Sequence, residues 1–185
     1  MNLFLYALVF IVASIAIWSV ATYNRLIKLK NLCQEAWSGI EVQLKRRVNL
    51  IPNLLETVKG YMKHERELFE KVTSARAMAL NASSPAERGT MEAQLTSSLR
   101  GLFAVAENYP QLKANQNFLS LQKELSDIED QIQLARRYYN GTVRNLNTAI
   151  EVFPNSLIAG MFGFEKQPFF ELDDDSQKSV PKVSF

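Results

Sequence analysis

Residues 3–22 read LFLYALVFIVASIAIWSVAT, an apolar run without a single charge. About 20 residues at the helical rise match the hydrocarbon thickness of a bilayer. Tyr6 and Trp18 stand near its ends, where amphipathic rings favour the membrane–water boundary. A cleaved signal peptide is the alternative, with Ser19-Val20-Ala21 as a small-x-small cleavage site. Against it, no Lys or Arg precedes the run, and the run exceeds the usual signal core of about 7–15 residues. The pattern predicts a retained transmembrane anchor over residues 1–22.

From Tyr23 onward the period becomes that of amphipathic helices. Leu26, Leu29, Cys33, Ala36, Ile40, Leu44, Val48 and Ile51 step by three and four, which lines one helical face. A second stripe runs through Leu54, Val58, Tyr61, Leu68, Val72, Ala75 and Ala79, interrupted at Glu65. Ser83-Ser84-Pro85 reads as a loop with proline at a helix start. Met91, Leu95, Leu99, Leu102, Ala106 and Tyr109 form a third stripe, ending at Pro110. The fourth is the longest: Phe118, Leu121, Leu125, Ile128, Ile132, Ala135, Tyr139, Val143, Leu146 and Ile150 make a heptad seam. Lys123, Glu124, Glu129 and Arg136 fall off that seam. No segment alternates with the period of a strand.

Pro52 lies between the first two stripes. It lacks an N–H and clashes with the carbonyl four residues back, so it ends or kinks a helix. A hairpin there divides the chain into segments of about 29, 30, 23 and 40 residues, a compact set. A mere kink leaves a first helix of about 90 Å, whose apolar face lacks cover. The expectation is therefore a hairpin at Pro52. The fold class is all-α: an N-terminal transmembrane helix followed by an antiparallel four-helix bundle with long coiled-coil-like helices. The bundle spans residues 23–153.

Residues 154–171 differ in character. With Phe153, the apolar residues Leu157, Ile158, Met161, Phe162, Phe164, Phe169 and Phe170 crowd this stretch. It is a candidate interaction segment that caps its own bundle, dips into the membrane interface or packs on a neighbouring protomer. The acidic run Asp173-Asp174-Asp175 just beyond it disfavours deep contact with anionic lipid, which ranks protomer packing above lipid. Residues 172–185 read as a disordered acidic tail.

Charge sets the orientation. No basic residue precedes the apolar run, whereas Arg25, Lys28 and Lys30 follow it. The positive-inside rule places the short N-terminus outside and the bulk in the cytoplasm, as a single-pass membrane protein. Overall, 21 Lys and Arg against 19 Asp and Glu give a net charge of +2. That balance excludes nucleic-acid binding by bulk charge. Residues 25–76 carry eleven basic and six acidic groups and residues 77–185 ten and thirteen, an asymmetry that suits head-to-tail association and equally suits neutralisation within the bundle. Lys45-Arg46-Arg47 reads as a solvated helix face, with phosphate binding as the alternative.

Candidate chemistry is sparse. The single Cys33 and single His64 exclude a disulfide within the chain, a Cys-rich zinc site and a three-His centre. A di-iron bundle needs a Glu-x-x-His motif on each of two helices, but Tyr61 stands three residues before His64. With a hairpin centred on Ile51, Cys33 and His64 are offset by about 7.5 Å, too far for a nucleophile and its base. No phosphate loop, zinc-protease motif or nucleophile elbow is present. No catalytic, cofactor-binding or metal-binding residue is assigned, and no small-molecule substrate is inferred.

Several stretches together resemble the LemA family. They are Tyr23-Asn24-Arg25-Leu26, Glu35-Ala36-Trp37-Ser38-Gly39-Ile40, Val42-Gln43-Leu44-Lys45-Arg46-Arg47 and the run from Leu50-Ile51-Pro52-Asn53 to Lys59-Gly60-Tyr61. Ala106-Glu107-Asn108-Tyr109-Pro110, Arg136-Arg137-Tyr138-Tyr139-Asn140, Phe153-Pro154-Asn155-Ser156 and Pro168-Phe169-Phe170 complete the set. The resemblance implies a membrane anchor, a small outside terminus and a cytoplasmic four-helix bundle. It implies no established enzymatic activity and no catalytic residues. The family includes a protein implicated in magnetosome membrane formation, and some members have genes beside those of membrane zinc proteases. The resulting expectation is a membrane-anchored, non-catalytic scaffold that forms homo-oligomers or binds a membrane protein. The alternative is an adaptor or accessory of a membrane enzyme such as a membrane zinc protease.

Overall fold

A computed structural model describes residues 2–82 and 84–171 of the chain. The tail expected to be disordered, residues 172–185, lies outside the described residues. Among the described residues the fold is all-helical, with a long apolar N-terminal helix. The elements are α1 (Asn2–Lys59), α2 (Arg66–Asn81), α3 (Pro85–Ala106), α4 (Pro110–Lys113), α5 (Gln116–Glu151) and α6 (Asn155–Met161). The chain divides into two compact units, Met1–Gly39 with Arg137–Pro168, and Ile40–Arg136 with the chain from Phe169.

In the first unit, residues 3–17 of α1 are exposed all round. Cover begins at Trp18 and Ser19, which are half-buried, and is complete at Thr22. Leu26, Cys33 and Ala36 continue the buried face, and Tyr139, Val143, Leu146 and Ala149 of α5 are buried in the same unit. Trp37 packs on Tyr139 with ring centroids 5.3 Å apart. The Tyr139 hydroxyl donates to the carbonyl of Pro168 at 2.9 Å. Asn147 exchanges two hydrogen bonds of 2.9 Å with the Gln167 backbone. These bonds satisfy backbone groups of a segment that has no helix of its own to do so.

The second unit has one core drawn from five helices. Val48, Ile51, Leu54, Leu55 and Val58 of α1 meet Val72, Ala75 and Ala79 of α2, with Leu95, Leu99 and Leu102 of α3. Leu112 of α4 and Phe118 and Leu125 of α5 join them. Burying each large aliphatic side chain contributes roughly 1.5–3 kcal/mol, so the stripes of three and four are the principal fold-determining signal here.

The expected hairpin at Pro52 does not form. Helix α1 runs through Pro52 to Lys59. Pro52 cannot donate to the Val48 carbonyl, but Arg76 of α2 does so instead, through Nε at 3.0 Å. The proline therefore leaves no orphaned acceptor. The turn comes at Gly60, a residue that destabilises a helix interior. There the N–H groups of Tyr61 and Met62 both reach the Val58 carbonyl, at 3.0 and 2.9 Å. Met62 is fully buried and fastens the turn to the core. Asn115 and Tyr109 complete this end: Asn115 Nδ2 donates to the Tyr61 hydroxyl at 2.9 Å, and the Tyr109 hydroxyl donates to Glu65 Oε1 at 3.0 Å. The start of α3 follows expectation, with Pro85 in its first turn and Ser84 Oγ accepting from the Glu87 N–H at 3.2 Å.

Candidate functional site

Two clusters combine unusual chemistry with defined geometry, one in each unit. The first lies where α1 leaves its uncharged stretch. Helix α6 places Ile158 and Ala159 against Leu26 of α1 and Ala149 of α5, and Trp18, Tyr23 and Phe164 pack on that cluster. The Tyr23 ring centre lies 4.8 Å from that of Phe162 and 5.8 Å from that of Phe164. The outward face of the same segment is apolar. Phe153 is 79% exposed, Leu157 59%, Met161 76% and Phe162 56%. Arg25, Lys28 and Lys30 are exposed on α1 just beyond this level. Tyr6 is exposed near the other end of the apolar run.

The candidate interaction residues thus separate. Ile158 faces the core of the first unit, Phe164 is half-buried there, and Phe153, Leu157, Met161 and Phe162 face outward. Phe169 is exposed in the second unit, whereas Phe170 is fully buried. The Arg136 guanidinium lies 5.6 Å from the centre of the Phe170 ring, a cation–π contact. Arg136 therefore has a packing role despite falling off the heptad seam. At Gly89 of α3, a side-chain carbon would strike the backbone carbonyl oxygen of Glu171. The absence of a side chain lets the chain pass close beside α3.

The second cluster is a charged group inside the second unit. Arg47, expected on a solvated face with Lys45 and Arg46, is only 4% exposed. Its guanidinium lies 3.5 Å from Glu92 and 3.2 Å from Glu129, and donates to Thr96 Oγ1 at 2.8 Å. Glu92 is 1% exposed, and its Oε1 has no hydrogen-bond partner. Burial pushes its carboxyl up to about 7; Arg47 and Arg88 oppose that rise, and Glu129 adds to it. A cleft of about 270 Å³ lies beside the cluster, lined by Arg47, Thr96, Arg100, Gln122, Ser126 and Glu129 among others.

Periodicity held a signal for this cluster. Glu92, rather than Met91, precedes Leu95 by three residues and Leu99 by seven, which puts it on the core stripe of α3. Arg47 follows Leu44 by three. Each is a charge on an apolar face, and each needs the other to be buried.

Cys33 and His64 have separate settings. Cys33 is buried in the first unit, and burial pushes its thiol up, partly offset by a hydrogen bond with Thr142. A raised thiol is a poor nucleophile. His64 is exposed in the turn after α1.

Comparison with known proteins gives a consistent answer. The sequence model of the LemA family matches residues 36–185. Protein LemA of Metamycoplasma hominis is 29% identical over 161 residues, covering 85% of this chain and 72% of its own. Magnetosome protein MamQ of Magnetospirillum gryphiswaldense is 23% identical over 174 residues, covering 80% of this chain and 64% of its own. Magnetosome protein MamQ 2 of Paramagnetospirillum magneticum is 23% identical over 175 residues, with the same coverage. The chain thus spans somewhat less than two thirds of the two magnetosome relatives.

Proposed function

The chain belongs to the LemA family, and from that premise we propose that it is a membrane-anchored, non-catalytic scaffold that self-associates at the cytoplasmic face of a bacterial inner membrane. One observation carries this reading. Helix α1 passes from the exposed, uncharged residues 3–17 into the buried stripe of Leu26, Cys33 and Ala36 without a break. A flexible linker would let the domain vary its distance from the membrane. A helix shared between the span and the core holds the domain at a set height above the membrane, as a scaffold requires.

The proposed organisation is a transmembrane anchor over residues 1–22, a helical domain over residues 23–153 and an apolar interaction segment over residues 154–171. In this reading α1 beyond Tyr23 joins α2, α3 and α5 as an antiparallel four-helix bundle. The N-terminus lies outside. Arg25, Lys28 and Lys30, exposed directly after the apolar run, support that orientation. The excess of basic groups in residues 25–76 and of acidic groups in residues 77–185 supports head-to-tail contact between copies.

The full chain, extracted in mild detergent, is the material for the test. Size-exclusion chromatography with light scattering, beside metal analysis, is expected to give a homo-oligomer without stoichiometric metal. A monomer carrying one metal per chain sinks the scaffold reading and favours an enzyme or an accessory of one. Protease added to right-side-out and inverted vesicles checks topology. Digestion of residues 23–185 only from the outer face overturns the orientation.

A further inference from the structure

We infer that the outward face of the Phe153–Phe162 segment is a second membrane contact, seated in the headgroup–acyl boundary beside the exit of α1. The inference rests on the anchoring role of α1 and adds a lipid-binding surface to it.

The argument is one of levels along a single helix. Residues 3–17 of α1 are exposed on every side, and cover starts at Trp18 and Ser19. About 15 exposed residues at 1.5 Å each extend about 22 Å. The hydrocarbon core of a bilayer is about 30 Å thick. The hydrocarbon therefore continues past Trp18, over the uncharged residues up to Thr22. At that height one face of α1 is already covered: Thr22 is 7% exposed, and Trp18 packs on the cluster formed by Leu26, Ala149, Ile158 and Ala159. The Phe162 ring packs at a tilt of 58° against Tyr23, the next residue along. Helix α6 is thus level with the end of the span, within the roughly 5–10 Å in which interfacial helices lie.

The chemistry of the segment fits that depth. Ile158 and Ala159 face the protein, while Phe153, Leu157, Met161 and Phe162 are all more than half exposed. A large exposed apolar patch marks a partner, and the exposed residue of α1 nearest this level, Val20 at 60%, is apolar too. Charge is kept to its margin. Lys166 pairs with Glu151, and Arg25 and Lys28 lie exposed where anionic headgroups begin. The sequence pattern alone ranked protomer packing above lipid; the height of α6 on α1 reverses that order.

Tryptophan reporters in vesicles test the inference. The full chain is reconstituted into phosphatidylcholine vesicles holding a minor share of phosphatidylglycerol, with and without lipid brominated near the carbonyl end of its chains. The control keeps Trp18 and carries Trp37→Phe. Two reporter chains carry Trp18→Phe and Trp37→Phe with either Met161→Trp or Phe153→Trp, both exposed positions that tolerate a larger ring. The expected result is a loss of fluorescence to brominated lipid at both reporters comparable with that at Trp18. Quenching at Trp18 with none at either reporter overturns the inference and leaves the anchor standing. Reporters that escape bromine but change emission as protein is diluted in lipid assign the face to a second copy, which also overturns it. Loss of quenching at Trp18 itself removes the anchor and the inference together.

Discussion

Arg76 donates from Nε to the carbonyl oxygen of Val48 at 3.0 Å, and Val48 is the residue whose helical donor is missing because position 52 is proline. A cation from α2 thus stands in for a backbone N–H of α1. The arrangement keeps α1 continuous and at the same time ties it to α2.

The two positions are therefore energetically coupled. Arg76→Met should lower the unfolding free energy by about 1–3 kcal/mol, the cost of a buried acceptor left without a donor. In a Pro52→Ala background the same substitution should cost less, by on the order of 1 kcal/mol, because the new N–H at position 52 takes the Val48 carbonyl. Denaturant unfolding of the four chains, followed by circular dichroism, measures the coupling. Strictly additive effects would contradict the role given to Arg76.

The charged core predicts asymmetric losses. Arg47→Met leaves Glu92 buried without its closest cation, and removing one partner of a buried pair costs about 3–5 kcal/mol. Changing both, as Arg47→Met with Glu92→Leu, should recover much of that loss, since apolar replacements of similar volume are often neutral. If the double variant is less stable than Arg47→Met alone, the pair contributes more than mutual neutralisation.

Stability should also depend on pH through Glu92. Burial raises its carboxyl from an ordinary value near 4.5 to about 7 in the folded chain. The folded state then holds this proton more tightly than the unfolded state. The associated stabilisation is complete below pH 4.5 and is lost as pH rises through about 7. As pH rises from 5 to 8, the parent should therefore lose on the order of 1–3 kcal/mol more than Glu92→Gln does, whatever their difference at pH 5. Thermal melts of both chains across that range provide the comparison, and parallel curves would count against a raised Glu92.

Gly89 is predicted to be intolerant of the smallest addition. A methyl group there meets the Glu171 backbone, not a movable side chain. Gly89→Ala should displace Phe170 from its buried site and cost about 1–3 kcal/mol, as overpacking does, despite the better helix propensity of alanine. Limited proteolysis should show faster cutting near Phe170 in the variant. Gly141→Ala, where an added carbon meets nothing, is the control, expected to gain up to about 1 kcal/mol from helix propensity.

Hydrophobic period alone determined most of the helices and their faces. Every seam residue of α5, from Phe118 to Ile150, is buried or half-buried, because a step of three and four places side chains on one face whatever the partner. The apolar run likewise declared a helix able to cross a membrane, since length and absence of charge are properties of the segment itself. Pro52 and the charges at Arg47 and Glu92 were decided elsewhere. A proline breaks a helix when the carbonyl it orphans finds no donor, and the donor here lies 28 residues along the chain. A charge stays on the surface unless an opposite charge meets it inside, and Glu92 lies 45 residues from Arg47. The Phe-rich segment divided for the same reason: its residues share a composition, but only the packed chain decides that Phe170 finds a site beside Gly89 while Phe153 and Met161 face outward.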